Sequence, residues 1–193
     1  SFVDSNNLAL DRAPSDFDTP RRLVLSYLWE VPGVRRWGLV GKQLLSGWQI
    51  NGITDIRTGS PFNVTSNTDT NFDGNSTDRP DLIGNPKLDT GRGRQELITQ
   101  YFNTAAFRVT SGLFGGAGRN GVYGPGAINW DFSAFKNFAI TERSKVQVRA
   151  EFFNLFNQVN LGNPNAVLTS PSFGRILGAG APRIVQFSLK FLF

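Results

Sequence analysis

Pro182-Arg-Ile-Val-Gln-Phe-Ser-Leu-Lys-Phe-Leu-Phe193 decides how this chain is read. Successive side chains of a strand point to opposite sides, so Val185, Phe187, Leu189, Phe191 and Phe193 share one face. Gln186, Ser188 and Lys190 share the other. In water, an aromatic-ended strand this apolar is an aggregation hazard unless another layer covers it. Two layers qualify: the facing sheet of a sandwich core, or lipid.

The same alternation recurs four times upstream. Leu23, Leu25, Tyr27 and Trp29 share a face of 22–30, and Trp48, Ile50, Thr54 and Ile56 share a face of 48–58. Trp130, Phe132, Ala134 and Phe138 line one side of 130–138, and Val146, Val148, Ala150 and Phe152 one side of 145–153. With 183–193 this makes five strands of about 9–11 residues, the length a tilted strand needs to cross a bilayer. The segment 130–138 carries two blemishes: Lys136 lands on its apolar face and Phe135 on its polar face. A β-bulge would repair the alternation, and so would a lysine near the membrane edge whose amine reaches the headgroups.

Short and long connections separate cleanly. Residues 140–144 and 31–47 form the shorter links, and 59–129 and 154–181 the long ones. In an antiparallel meander alternate connections lie on opposite sides, so the short links share one side and the long ones the other. Outer-membrane barrels have this asymmetry, with short periplasmic turns and long extracellular loops. It brings Trp29, Trp48, Phe138, Phe191 and Phe193 toward one membrane edge as a candidate aromatic girdle. Arg149, Glu151, Gln186 and Lys190 then face the lumen. The expected fold class is all-β: an antiparallel up-and-down meander forming part of a transmembrane barrel. Single-chain barrels need at least about eight strands, so five leave two open edges. The soluble alternative is a secreted calcium-binding β-sandwich, an adhesion or carbohydrate-binding module, which would close a core with its own inward faces.

Composition narrows the function. The 193 residues hold 21 glycines, 17 phenylalanines, 10 prolines and 4 tryptophans, and no cysteine, methionine or histidine. Without cysteine there are no disulfides, thiol nucleophiles or thiolate metal sites. Without histidine the commonest general base and transition-metal ligand are missing. The formal charge of +5 is spread along the chain and does not cluster with aromatics, so no nucleic-acid partner is expected. No apolar run approaches the roughly 20 residues of a spanning helix. With neither an initiator methionine nor an apolar leader, the chain reads as a portion of something longer.

The long loop is polar and turn-rich, with one weakly signalled helix around 95–101. Within it, Asp69-x-Asn71-x-Asp73-Gly74-Asn75 matches the oxygen-ligand and glycine spacing of an EF-hand-type loop. Such a loop offers calcium the side chains of Asp69, Asn71 and Asp73 and the backbone carbonyl of Asn75. The pattern departs where a bidentate glutamate belongs: Pro80 stands there, and Asp78 or Asp81 would have to substitute. An Asx-rich turn without metal explains the same residues. A structural calcium is therefore the one cofactor the chain could hold. Arg149 and Glu151, beside Lys145 and Gln147, suit a substrate path or, more simply, a cross-strand charge ladder in the wall. Among Asp131, Glu142 and Glu151 no carboxylate pair for glycoside hydrolysis is expected, since Glu142 falls in a turn at the end of the sheet away from Asp131. No enzyme activity is expected. Asn154-Leu-Phe-Asn157 breaks the alternation and reads as a bulge or strand exit.

Several stretches resemble a known family. Gly47-Trp-Gln-Ile-Asn-Gly52 followed by Arg57-Thr-Gly-Ser-Pro-Phe62 is similar to a stretch of TonB-dependent outer-membrane transporters. Arg119-Asn-Gly-Val-Tyr-Gly-Pro125, Trp130-Asp-Phe-Ser-Ala-Phe-Lys-Asn-Phe138 and Arg149-Ala-Glu-Phe-Phe-Asn-Leu-Phe-Asn157 resemble its Oar-like subgroup, which carries an amino-terminal carboxypeptidase-regulatory-like domain. Pro182-Arg-Ile-Val-Gln186 and the terminal phenylalanine complete the resemblance, which runs from about Phe17 to the end. It implies a barrel of about 22 strands, of which these are the last five or so. It also implies a plug that contacts the TonB system, and neither the plug nor its contact box lies within these residues. The implied partners are outer-membrane lipid, the rest of the barrel and plug, and the barrel-assembly machinery. That machinery would read Phe187, Leu189, Phe191 and Phe193. The ligand is not implied.

Overall fold

Alternation dictates the strands, and the register between them decides whether their apolar faces coincide. The computed structural model describes residues 7–32, 38, 46–74, 76–89, 91–110, 112 and 114–193. In chain order the strands are β1 (Arg22–Glu30), β2 (Trp48–Arg57), β3 (Pro61–Phe62), β4 (Asp81–Leu82), β5 (Phe107–Arg108), β6 (Val122–Tyr123), β7 (Ala127–Ala139), β8 (Lys145–Phe153) and β9 (Ile184–Leu192), with an α-helix, α1 (Arg94–Thr99). No helix among the described residues is long and apolar enough to cross a membrane. The chain forms two units.

The strand unit comprises Arg22–Arg57, Ala127–Val159 and Ala181–Phe193. It is one antiparallel sheet in the order β1-β2-β7-β8-β9, the expected meander. Trp29 stands opposite Ile50, Ile50 opposite Ala134, Ala134 opposite Ala150 and Ala150 opposite Phe187. Directly opposed residues share a face, so the five apolar sets form one surface. A slip of one residue in any pair would turn that strand's set over. Phe187 and Leu189 are 75% and 74% exposed, and Leu25, Trp29, Val148 and Phe191 are exposed too. Ile50, Phe132 and Phe152 are half-covered. Burying one such side chain contributes about 1.5–3 kcal/mol, so a surface of this kind calls for an apolar cover. β1 and β9 are the edges, and no described residue extends the sheet beyond them.

The bulge that would have repaired the segment 130–138 is not there. β7 pairs without interruption with β2 from Ala127 to Lys136 and with β8 from Phe132 to Ala139. It is also longer than its alternation signals, because residues 127–129 continue the ladder against 55–57. The turn after it is closed by Ile140 N–H and Thr141 N–H on the Ser144 carbonyl, at 2.9 and 3.2 Å. Asn154-Leu-Phe-Asn157 is a strand exit. Asn154 and Asn157 both sit at φ +52°, a conformation asparagine tolerates better than most residues. The Asn154 side chain donates to the carbonyls of Gln158 (2.9 Å) and Ala181 (3.2 Å) and accepts Gln158 N–H at 2.8 Å.

The loop unit comprises Ser1–Arg21, Thr58–Gly126 and Asn160–Gly180. The polar, turn-rich stretch has an aromatic core of its own. Val64, Phe102, Ala106, Phe107 and Ala117 are buried, with Phe62, Tyr101 and Phe173 packed against them. Phe102 meets Phe107 and Phe173 edge-on at 5.6 and 5.1 Å, the geometry ring quadrupoles favour. β3 pairs with β6 and β4 with β5. The weakly signalled helix is α1: Glu96 accepts Gly93 N–H at its start (3.0 Å), and Arg92 donates to the carbonyls of Gln100 and Tyr101 at its end (2.6 and 2.8 Å).

Candidate functional site

The apolar surface has an aromatic border at the short-turn end of the sheet. Trp29 (56% exposed) lies near the end of β1, and Trp48 opens β2. Trp48 stands opposite Lys136, and Phe138 opposite Val146, which stands opposite Phe191. The Phe191 and Phe193 rings are 6.0 Å apart. Phe138 lies four residues along β7 from Ala134, the position in register with Trp29, so the border steps along the strands as it crosses the sheet.

Lys136 sits within this border and is 1% exposed. Its amine lies 5.4 Å from the centre of the Trp48 ring and 5.1 Å from that of Phe138, and it donates to the Ser46 carbonyl. An ammonium group on an apolar face is costly unless partnered, and two ring faces and a carbonyl are its partners here. Its stem fills the space between them. Lys136→Met keeps the stem and is expected to cost less than about 1.5 kcal/mol. Lys136→Ala opens a hole and should cost about 2–4 kcal/mol. Urea unfolding midpoints in micelles compare the two, and equal losses would assign the position to charge.

The opposite face is laced by polar contacts. Asn51, Ser133, Glu151 and Gln186 form one cross-strand row, in which the Ser133 hydroxyl donates to the Asn51 side-chain oxygen. Arg149 reaches Glu151 at 3.4 Å and lies 5.1 Å over the Phe135 ring, which explains the aromatic on this side. Lys190 stands opposite Gln147, which donates to Asn137 at 3.0 Å. Arg22 grips Asp55 through two bonds of 3.0 and 2.8 Å. Asp131 and Glu151 share this face on neighbouring strands, and Glu142 lies in the 140–144 turn. Asp131 accepts the Asn129 side chain (2.8 Å) and Asn154 N–H (3.0 Å), which ties the strand exit to the wall.

In the loop unit, Asp69, Asn71 and Asp73 share one turn, and Asn75 lies outside the described residues. The Asp69 carboxylate accepts Asp73 N–H (3.2 Å) and Gly74 N–H (2.9 Å), with Gly74 at φ +86°. The Asn71 amide donates to Asp73 at 3.2 Å. Asp78 accepts Thr70 N–H (2.7 Å), the Thr70 hydroxyl (3.0 Å) and Asn71 N–H (3.3 Å). These bonds make an Asx turn closed by its own amides. Among the described residues no group of three acidic, histidine or cysteine side chains is placed to hold a metal.

One set of contacts escaped the sequence reading. Arg79, Arg119, Asn120 and Tyr123 hold the acidic residues Asp11, Asp16 and Asp18 of the segment that leads into β1. Donation from Asn120, with the Arg119 charge beside it, holds the Asp16 carboxyl below its ordinary range, while partial desolvation opposes the shift.

A family model described as an outer membrane beta barrel domain matches residues 1–186. No curated protein and no solved structure matches the chain. The match spans both units, and the strand unit is a single sheet with one exposed apolar face, as lipid cover requires and a sandwich core does not. The chain belongs to the outer membrane beta barrel domain family and is a protein of the bacterial outer membrane.

Proposed function

We propose that the chain is a portion of the barrel wall of a TonB-dependent transporter of the Oar-like subgroup, which takes up an unidentified ligand with energy supplied through a plug. The observation that carries this reading is a membrane-length meander with two open edges: the wall needs further strands, about 22 in all for a plugged transporter. The stepped aromatic border supports it. Strands tilted by about 35–45° and spaced about 4.8 Å apart require a level line to advance roughly one residue per strand. From Trp29 the border advances two residues at each of the first two strand steps, to Phe138, and none at the next two, to Phe191, an average of one per step. Of the stretches that resemble transporters, Gly47-Trp48 opens β2 at the border, and 57–62 and 119–125 meet through β3 and β6. In this reading the chain is non-catalytic. Its outer face meets lipid, and its polar face meets the lumen and plug. β9 is the strand handled by the assembly machinery, and the long connections lie outside the cell.

Cross-linking in intact cells tests the transporter reading. The parent protein is expected to trap TonB. A parent that reaches the outer membrane yet never cross-links to TonB would overturn energised transport while leaving the barrel untouched.

A further inference from the structure

Residues 7–21 lie along the loop unit as a strap held by polar contacts. The Arg79 guanidinium reaches the Asp11 carboxylate at 3.2 Å, and both side chains are largely buried. The Asn120 side-chain amide donates to the Pro14 carbonyl (2.8 Å) and to Asp16 (2.6 Å). Arg119 adds contacts of 3.4 Å to both Asp16 oxygens, and the Tyr123 hydroxyl donates to Asp18 at 3.0 Å. The donors are set in advance. Asn120 is 2% exposed, sits at φ +52°, and is pinned by its own N–H on the Asn63 side chain at 2.7 Å.

Polar contacts dominate the anchoring of the strap's described side chains. No described strap side chain enters the hydrophobic core of the unit, and Leu8 and Phe17 are 58% and 92% exposed. Lifting the strap therefore breaks these polar contacts while the described core side chains keep their contacts with one another. Segments with few buried apolar contacts open locally at low cost.

We infer that Arg79, Arg119, Asn120 and Tyr123 form a dock for acidic peptide, occupied in cis by the strap 11–18, which opens as a latch while the core beneath it stays folded. The ligand class follows from the dock. Two guanidinium groups, an amide and a phenol hydroxyl all donate, and they meet three carboxylates and a backbone carbonyl on a short segment. The latch does not depend on the transporter reading.

Limited trypsin digestion of the full chain in detergent reports both parts. Cleavage after Arg12 reads the strap, and cleavage after Arg92 and Arg108 reads the rest of the loop unit. Asp16→Ala combined with Asp18→Ala removes the carboxylates met by Arg119, Asn120 and Tyr123, and should speed cleavage after Arg12 about tenfold without changing the other two. A synthetic peptide of residues 13–20, which has no trypsin site, should in excess speed strap cleavage of the unaltered chain. The same peptide with asparagine in place of both aspartates should not. Unchanged strap cleavage in the variant, or a parallel rise after Arg92 and Arg108, would overturn the latch. A peptide without effect, or two peptides with equal effect, would overturn the dock.

Discussion

Changing both Phe191 and Phe193 to serine is expected to stop the parent protein from accumulating in the outer membrane, with little assembled product left. Phe191 stands opposite Val146 on the apolar face and is 55% exposed, and Phe193 is 96% exposed. With lipid as their cover, losing the two rings removes roughly 1.5–3 kcal/mol of burial each. The second cost falls on the backbone. β9 is an edge of this sheet, and an unpaired amide in hydrocarbon costs several kcal/mol, so the edge must find a partner strand in the assembled barrel. A strand that no longer partitions into lipid is poorly placed to make that pairing. Lys190→Gln, on the opposite face, should shift stability by no more than about 0.5 kcal/mol. Membrane fractionation with heat-modifiability gels separates the outcomes, and normal assembly of the double serine variant would strip β9 of the role proposed for it.

The sheet was legible because its signal is local. A period of two survives in each strand, and identical faces follow once neighbours pair in register. The two residues that looked like faults, Lys136 and Phe135, were not legible, because their partners lie on other strands. Trp48 and Arg149 accept them only across the register, and no reading along 130–138 can show that. The loop unit hid for a related reason. Its core rings, Phe62, Phe102, Phe107 and Phe173, come from distant stretches without periodicity, and its strands are two residues long. Asx turns were visible at 69–74 because turn chemistry is local. The strap dock was not, since Asn120 and Asp16 are 104 positions apart. The stretch 119–125 drew attention only by resemblance, and the structure supplies its physical content: donors for the strap, and a backbone crossing at Gly124.

That crossing carries the second large effect: Gly59→Ala is expected to unfold the loop unit while the sheet persists. A Cβ on Gly59 would lie 1.8 Å from the Gly124 carbonyl oxygen, 2.4 Å from its carbon and 2.8 Å from the Pro125 oxygen. All three are backbone atoms, so no rotamer change relieves the overlap. The two segments must part, yet they are joined by Gly124 N–H on the Ser60 carbonyl at 2.9 Å and by β3 on β6. β3 and β6 also bring Phe62 and Val122 to the core, so parting them withdraws apolar contacts as well. A cost of about 3 kcal/mol or more follows, large against the stability of a unit with so small a core. Gly124→Ala is the informative contrast. Its Cβ would meet the Asn163 side-chain oxygen at 2.0 Å, but Asn163 is exposed and can swing aside, so about 1 kcal/mol is expected. Trypsin cleavage after Arg92 and Arg108 reads the loop unit, and heat-modifiability reads the strands. Equal resistance of the two alanine variants would mean that the segments do not cross at Gly59, and the β3–β6 pairing would have to be abandoned with it.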